Sequence, residues 1–255
     1  MKEVKNYILI SCAVLARESY YCAAVSENII DIIMVDQGLH DIGEEGMVAE
    51  LQKYVDSVDI EKYDAILMGY GLCNNGIRGL HAEIPMVIPR AHDCITLLMG
   101  SKERYRDYFD KKPGTFYKST GWVERVKHNL ANPDSTTRKL GMETYNEYVE
   151  KYGEENAAYL METLEGGLNH YDRLTYIDTG VGDFSQYKID EKSVADERAW
   201  IFEEYHGSNS LLLALVNGNW NKKDFLVLQP GEVIMPTHDN NIIKSEKIDK
   251  EKLKK

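Results

Sequence analysis

The segment Ala65-Ile-Leu-Met-Gly-Tyr-Gly-Leu-Cys73 is a short apolar run that leads into a glycine-rich loop and a cysteine. Two further apolar runs also lead to a cysteine, in Tyr7-Ile-Leu-Ile-Ser-Cys12 and in Val87-Ile-Pro-Arg-Ala-His-Asp-Cys94. Such runs are typical of buried parallel strands, whose carboxyl ends share one edge of a sheet, where ligands collect. The sequence therefore predicts that three thiols from distant segments converge at one edge of a sheet.

Short apolar runs alternate with helical segments along the first part of the chain. Strands are predicted at residues 6–11, 29–35, 64–68 and 84–88, and residues 47–55 have the three-to-four spacing of an amphipathic helix. This alternation is the βαβ signature. It predicts an α/β fold with a parallel Rossmann-like sheet and right-handed crossovers.

Changes of composition along the chain predict several segments. Strand-like runs return at residues 174–177, 199–205 and 224–228, and their loops resemble those of the first part, as a weak internal duplication of a three-strand unit would. We expect two similar βαβ lobes separated by a charged, tyrosine-rich segment. The predicted segments are a first α/β lobe (1–120), a helical insertion or flank (121–172), a second α/β lobe (173–240) and a charged tail (241–255), whose lysine-rich part from Lys244 onward predicts a solvated helix.

The composition excludes several classes of partner. The net charge of -12, from 30 basic and 42 acidic residues, gives an average field that repels nucleic acid and anionic lipid. The apolar stretches are far shorter than the roughly 20 residues that a membrane-spanning helix needs, and the first residues lead directly into a strand, so we expect a cytoplasmic protein. Four cysteines at scattered spacings predict reduced thiols and not a disulfide framework.

Cys12, Cys73 and Cys94 are the candidate metal ligands. The thiolate binds zinc at roughly 2.3 Å and also binds iron–sulfur clusters, and three protein ligands with one open position are typical of a catalytic site. His40, in the loop Asp36-Gln-Gly-Leu-His-Asp41, is the candidate for a fourth ligand or for orienting another one. The alternative is that these cysteines are only small buried apolar residues, which is the simpler interpretation of Cys22 in its apolar helical face.

The loop from Gly69 to Gly76 predicts a place where the backbone approaches a bound group. Gly69, Gly71, Asn74 and Gly76 are the candidate cofactor-binding residues, because glycines allow sharp turns and a following helix offers free N–H groups to an anion. The spacing matches neither a Walker loop nor the dinucleotide fingerprint, so nucleotide binding is weakly supported. A tight strand-to-helix turn without a ligand would have the same sequence.

The segment Pro89-Arg-Ala-His-Asp-Cys94 contains a cation, an imidazole, a carboxylate and a thiol. Arg90 and His92 are the candidate catalytic residues, since Arg90 can bind a carboxylate or phosphate and His92 can transfer a proton or bind a metal. Asp93 is more simply the N-cap of a helix that begins near Cys94.

Several of these motifs occur together in a known family. They comprise the first strand with its cysteine, Asp36–Asp41, Gly69–Gly76, Pro89–Cys94, Pro113-Gly-Thr115, Gly121-Trp122, Tyr152–Ala157 and Tyr176-Ile-Asp-Thr-Gly180. In this combination the chain resembles the family filed as domain of unknown function 1638 over nearly its whole length. Members of that family occur in anaerobic bacteria and methanogenic archaea, often beside genes of corrinoid-dependent methyltransferases, and the resemblance implies a role in one-carbon metabolism.

These observations lead to one expected function and two alternatives. We expect a metal-dependent enzyme of anaerobic one-carbon (corrinoid methyl-transfer) metabolism with a three-cysteine zinc-thiolate site, because zinc holds a sulfur nucleophile deprotonated at neutral pH. In the first alternative the same cysteines hold a [4Fe-4S] cluster with one open iron. In the second, the chain is a non-catalytic accessory or metal-delivery protein. The expected partners are a small-molecule substrate or a corrinoid protein, and the oligomeric state stays open.

Overall fold

The computed structural model describes residues 3–127, 154 and 170–248, apart from the side chains of residues 40, 41 and 127. The described residues divide into two units. Unit 1 contains those up to Tyr108, Thr179–Val181 and those from His206 onward. Unit 2 contains those between Phe109 and Asp178 and the segment Gly182–Tyr205.

Strands and helices alternate along the described chain. The strands are β1 (Asn6–Cys12), β2 (Ile29–Val35), β3 (Ala65–Gly69), β4 (Met86–Pro89), β5 (Thr115–Ser119), β6 (Arg173–Asp178), β7 (Ile201–His206), β8 (Phe225–Leu228), β9 (Glu232–Pro236) and β10 (Ile243–Lys247). The helices are α1 (Ala16–Ala24), α2 (Gly43–Asp56), α3 (Cys94–Met99), α4 (Lys102–Lys111), α5 (Thr120–Lys127), α6 (Ser185–Glu197) and α7 (Ser210–Val216), and short 3₁₀ turns occupy Ala13–Leu15 and Gln37–Ile42. In this part of the chain no helix is both long and apolar enough to cross a bilayer.

Unit 1 is built on a five-stranded sheet with the order β2-β1-β3-β4-β8. The first four strands are parallel, and β8 pairs antiparallel with β4. The prediction of an α/β fold with a parallel Rossmann-like sheet is therefore confirmed. The chain passes from β1 to β2 on one side and later continues with β3 on the other, so the carboxyl ends of β1 and β3 flank the switch point at which open α/β sheets bind ligands.

The central strands read as continuous apolar runs because the sheet buries both of their faces. Every residue of β3 and β4 is buried, and so are six of the seven residues of β1. Helix α2 buries Met47, Leu51 and Val55, which recur every four residues, as the predicted amphipathic pattern requires. Helix α7 packs against α1, β3 and β4.

Unit 2 contains a three-stranded sheet in the order β5-β6-β7, in which β5 and β6 are parallel. Its interior includes polar groups. The hydroxyl groups of Thr120 and Tyr176 lie 2.9 Å apart, and Lys118 is buried, which lowers the pKa of its amine, against the opposing effect of the Glu191 carboxylate.

The structure differs from the predicted second lobe in one strand. The run from Asp224 to Leu228 forms β8, which joins the sheet of unit 1 beside β4 and does not join β6 and β7. A short apolar run does not encode which sheet it joins, and mixed sheets often carry an antiparallel edge strand of this kind. The third strand of the predicted internal duplication is therefore not a counterpart of β3.

The structure also differs from the predicted C-terminal tail and from the predicted boundary of the first lobe. Residues 244–247 belong to β10 of a hairpin with β9 and not to the predicted helix, because Ile243 is buried and pairs with Pro236 across a loop rich in Asp and Asn. The rest of that predicted helix, from residue 249 onward, lies outside the described residues. The predicted helical insertion lies mostly outside the described residues. Strand β5, which precedes the predicted insertion, belongs to unit 2, whereas the sequence placed residues up to 120 in the first lobe.

Candidate functional site

The three predicted thiols come from the carboxyl ends of strands in unit 1. Cys12 is the last residue of β1, Cys73 lies in the loop after β3, and Cys94 is the first residue of α3, which follows β4. Cys12 and Cys73 are buried, and Cys94 is half-buried. The strand ends thus supply the thiols in the way that the alternating pattern predicts.

The loops after β3 and β4 are hydrogen-bonded to each other. The backbone N–H of Leu72 donates to the carbonyl of Ala91 at 2.8 Å, and that of Cys73 donates to the carbonyl of His92 at 2.7 Å. Their backbones are so close at Gly71 that a Cβ there would lie 2.6 Å from the amide nitrogen of Asp93. Gly71 is therefore required for the approach of the two loops.

Cys12, Tyr70 and Cys73 form a buried cluster at the switch point. Burial raises the pKa of the Cys73 thiol, and the neighbouring Cys12 and Asp93 groups raise it further, while the N–H of Gly71 acts in the opposite direction. Burial also raises the pKa of Tyr70 well above its ordinary value, with the Cys12 and Cys73 thiols as the next causes. The Cys12 thiol at the end of β1 and the Cys73 thiol after β3 are therefore close enough to affect each other's pKa.

The backbone of the Cys73 loop has an uncommon conformation. Cys73, Asn74 and Asn75 have φ values of 48°, 55° and 66°, which place three successive non-glycine residues in the left-handed region. The turn closes with a hydrogen bond from the N–H of Gly76 to the carbonyl of Cys73 at 3.1 Å. This conformation costs L-residues roughly 1–2 kcal/mol each, and less for asparagine, and such strain is concentrated at functional sites.

The other glycines of the loop are explained by their neighbours. A Cβ on Gly69 would lie 2.3 Å from Oγ of Ser11 on the adjacent strand, and one on Gly76 would meet the sulfur of Met47 in α2 at 2.2 Å. Asn74 is exposed. Gly69, Gly71 and Gly76 thus bring protein segments together, and the role of these residues and Asn74 in cofactor binding stays a prediction.

Asp93 caps helix α3, as predicted. Its carboxylate accepts hydrogen bonds from the N–H of Thr96 at 3.1 Å and from the hydroxyl of Tyr105 at 3.3 Å. Burial raises the pKa of Asp93 against these two hydrogen bonds. The negative charge beside Cys73 is therefore held in place by the helix that begins at Cys94.

The two predicted catalytic residues lie in different environments. His92 is exposed. The Arg90 guanidinium donates to the carbonyls of Lys222 at 3.0 Å and Asn241 at 2.9 Å, and also to that of Ile243. The structure therefore gives Arg90 a bonding role within unit 1, and substrate binding by it stays a prediction.

Buried polar atoms of four side chains in unit 1 were not predicted from the sequence. Gln37, two residues after the Val35 that pairs with Cys12, is 1% exposed, and neither of its amide atoms has a hydrogen-bond partner among the described residues. The Oδ1 atom of Asn209 shares this property, whereas the Tyr70 hydroxyl interacts with the Cys12 thiol. The buried carboxylate of Glu18 in α1 accepts a hydrogen bond from Thr179 at 2.6 Å. Buried polar atoms without partners are rare, and they mark places where a ligand, ion or water completes the structure.

The predicted metal ligands are only partly assembled. Cys12 and Cys73 are neighbours, and the His40 side chain lies outside the described residues. Within the part of the chain that the structure describes, no group of three His, Cys, Asp or Glu side chains is arranged to hold a metal ion. The chemistry of the cluster nevertheless fits a thiophilic cation, because a positive charge would offset both the burial and the mutual repulsion that oppose the thiolates.

The raised pKa values predict slow alkylation of two thiols in the metal-free chain. Burial and the Glu18 carboxylate raise the pKa of Cys22 from 9.0 to about 12, so its thiolate fraction at neutral pH falls about 1,000-fold. We expect Cys22 and Cys73 to react with iodoacetamide far more slowly than half-buried Cys94, at rates that increase as pH rises. Mass spectrometry of labelled peptides measures this, with the unfolded chain in guanidinium as the control. Fast labelling of Cys73 at pH 7 would contradict the prediction.

The fold and this edge define an α/β protein with a buried two-thiol cluster at the switch point of its sheet. The chain belongs to the DUF1638 family, described as proteins of unknown function, whose family model matches residues 34–216. The matched region includes Cys73 and Cys94 and begins after Cys12. No curated protein and no solved structure matches the chain.

Proposed function

We propose that this protein is a metal-dependent enzyme of anaerobic one-carbon metabolism, in which Cys12, Cys73 and Cys94 hold zinc. The observation that carries the proposal is the pairing of the buried Cys12 and Cys73 thiols at the switch point of the sheet. The one-carbon context rests on the family resemblance, whose members often lie beside genes of corrinoid-dependent methyltransferases. A cytoplasmic location is part of the same proposal.

The residues around the thiols suggest a division of roles. When bound, zinc would supply the positive charge that keeps a sulfur nucleophile deprotonated at neutral pH. The Gln37 amide has hydrogen-bonding capacity that no described residue uses, so it can orient a substrate near the thiols. His92, exposed beside the Cys73 loop, can exchange a proton with solvent. Cys94 would complete the ligand set from the first residue of α3.

Elemental analysis after anoxic purification tests the proposal. We expect about one zinc per chain in the natural protein and loss of zinc in Cys12→Ala, Cys73→Ala and Cys94→Ala. Cys22→Ala is the matched control, since Cys22 is also a buried thiol of unit 1 but lies in α1, away from the strand ends, and should retain full metal content.

The same measurement separates the alternatives. Iron and sulfide with visible absorbance would favour a [4Fe-4S] cluster on the same three cysteines. Zinc retained without turnover of corrinoid or thiol substrates would favour an accessory or metal-delivery protein. Metal-free protein in every preparation, or equal zinc in all four variants, would refute the shared site.

A further inference from the structure

A second concave site in unit 1 lies at the opposite edge of the sheet from the thiols. This cavity has a volume of about 540 Å³ and is open to solvent on one side. Ile66, at the amino end of β3, forms part of it, together with Val55 at the end of α2 and Ile248 after β10. The volume lies in the usual range of small-molecule pockets, roughly 300–1,000 Å³.

The walls of the cavity are fixed by hydrogen bonds. The Gln52 side chain donates to the carbonyl of His81 at 3.0 Å and accepts from its N–H at 3.2 Å, and it also donates to the Asp56 carboxylate at 2.6 Å. On the other wall, the N–H of Ile248 donates to the carbonyl of Gly231 at 2.9 Å. His81, Asp56, Gly231 and Ile248 all line the cavity, so its shape is largely formed before any ligand binds.

The charge of the cavity is negative. Asp56 and Glu83 supply carboxylates, and no lysine or arginine is among the described residues that line it. The His81 Nδ1 atom lies 3.2 Å from the Gly79 carbonyl, which favours a proton on that nitrogen. Apolar walls with two carboxylates are complementary to a ligand that combines an apolar body with one positive group.

We propose that this cavity binds a small organic ammonium ion. The apolar part of the ligand contacts Val55, Ile66 and Ile248, and its ammonium group lies between the Asp56 and Glu83 carboxylates. This site is independent of the proposed metal function, since it uses none of the cysteines.

Calorimetry on the full chain with benzylammonium, benzyl alcohol and benzoate as probes tests the proposal. We expect benzylammonium to bind and the neutral and anionic probes to bind at least about tenfold more weakly. Glu83→Gln should weaken the binding of benzylammonium about tenfold, and Ala82→Trp, which fills the cavity without removing a charge, should abolish it. Glu27→Gln is the control, because Glu27 is an exposed carboxylate of unit 1 outside the cavity lining.

Four outcomes would overturn the proposal. The first is no binding of benzylammonium, and the second is equal binding of benzyl alcohol. In the third, Glu83→Gln and Glu27→Gln have the same effect. Lysines follow Ile248 in the sequence, so the chain ending at Ile248 is measured as well. In the fourth outcome, benzylammonium binds to the shortened chain but not to the full chain. That result would show that the protein's own lysines occupy the carboxylates.

Discussion

Replacing Gly71 with alanine is expected to lower the free energy of unfolding by about 2–4 kcal/mol. A Cβ at this position would lie 2.6 Å from the backbone nitrogen of Asp93 and 2.8 Å from its Cα, and backbone atoms of a capped helix start cannot move aside cheaply. Separating the loops would also weaken the two hydrogen bonds that join Leu72 and Cys73 to the β4 loop. Denaturant titration measures the change.

The matched control is Gly79→Ala. Gly79 has φ of 85° but has no atom within 4 Å of an added Cβ, so its replacement incurs only backbone strain, about 1 kcal/mol. Equal losses of stability in Gly71→Ala and Gly79→Ala would show that the close approach of the two loops is not important. A larger loss in Gly71→Ala, together with faster alkylation of Cys73, would show that this approach also holds the thiol in its buried position.

Replacing Arg90 with methionine is expected to lower the free energy of unfolding by about 2–3 kcal/mol. Its guanidinium donates to carbonyls of Lys222, before β8, of Asn241, in the loop before β10, and of Ile243, the first residue of β10. Methionine has a similar volume but no donors, so these carbonyls lose their charged partner. Arg90→Lys should recover only part of the loss, because an ammonium group cannot reproduce the planar fork of Arg.

Arg78→Met is the control for Arg90→Met. Arg78 is half-exposed and forms an ion pair with Glu44 at 3.4 Å, which should contribute less than about 1 kcal/mol. If Arg90→Met retained full stability but lost substrate turnover, Arg90 would bind substrate as the sequence suggested, and its role within unit 1 would be minor.

The sequence predicts the parallel part of the fold well because that part is encoded locally. The runs at 6–11 and 64–68 appear almost unchanged as β1 and β3, since strands buried on both faces are continuously apolar. The partner of β8 could not be predicted, because strand pairing depends on residues far apart in the chain. Its four residues would fit an edge position in either sheet.

Only part of the candidate site could be predicted from the sequence. The rule that strand ends share an edge brought Cys12 and Cys73 together, since it needs only the positions of the strands. Tyr70 and Gln37 were missed because the burial of their polar groups is a property of the packed structure and has no sequence pattern. Arg90 was interpreted from its charge alone, and the sequence does not show which carbonyls its fork reaches.

The position of β8 has a consequence for biosynthesis. Strand β4 is complete at residue 89, but its edge partner is synthesised only at residues 225–228, after the whole of unit 2. On the ribosome, the nascent chain therefore carries an open strand edge through much of its synthesis, and open edges promote aggregation. The β4 edge is therefore exposed to wrong pairing during synthesis, whereas β8 covers it in the finished molecule.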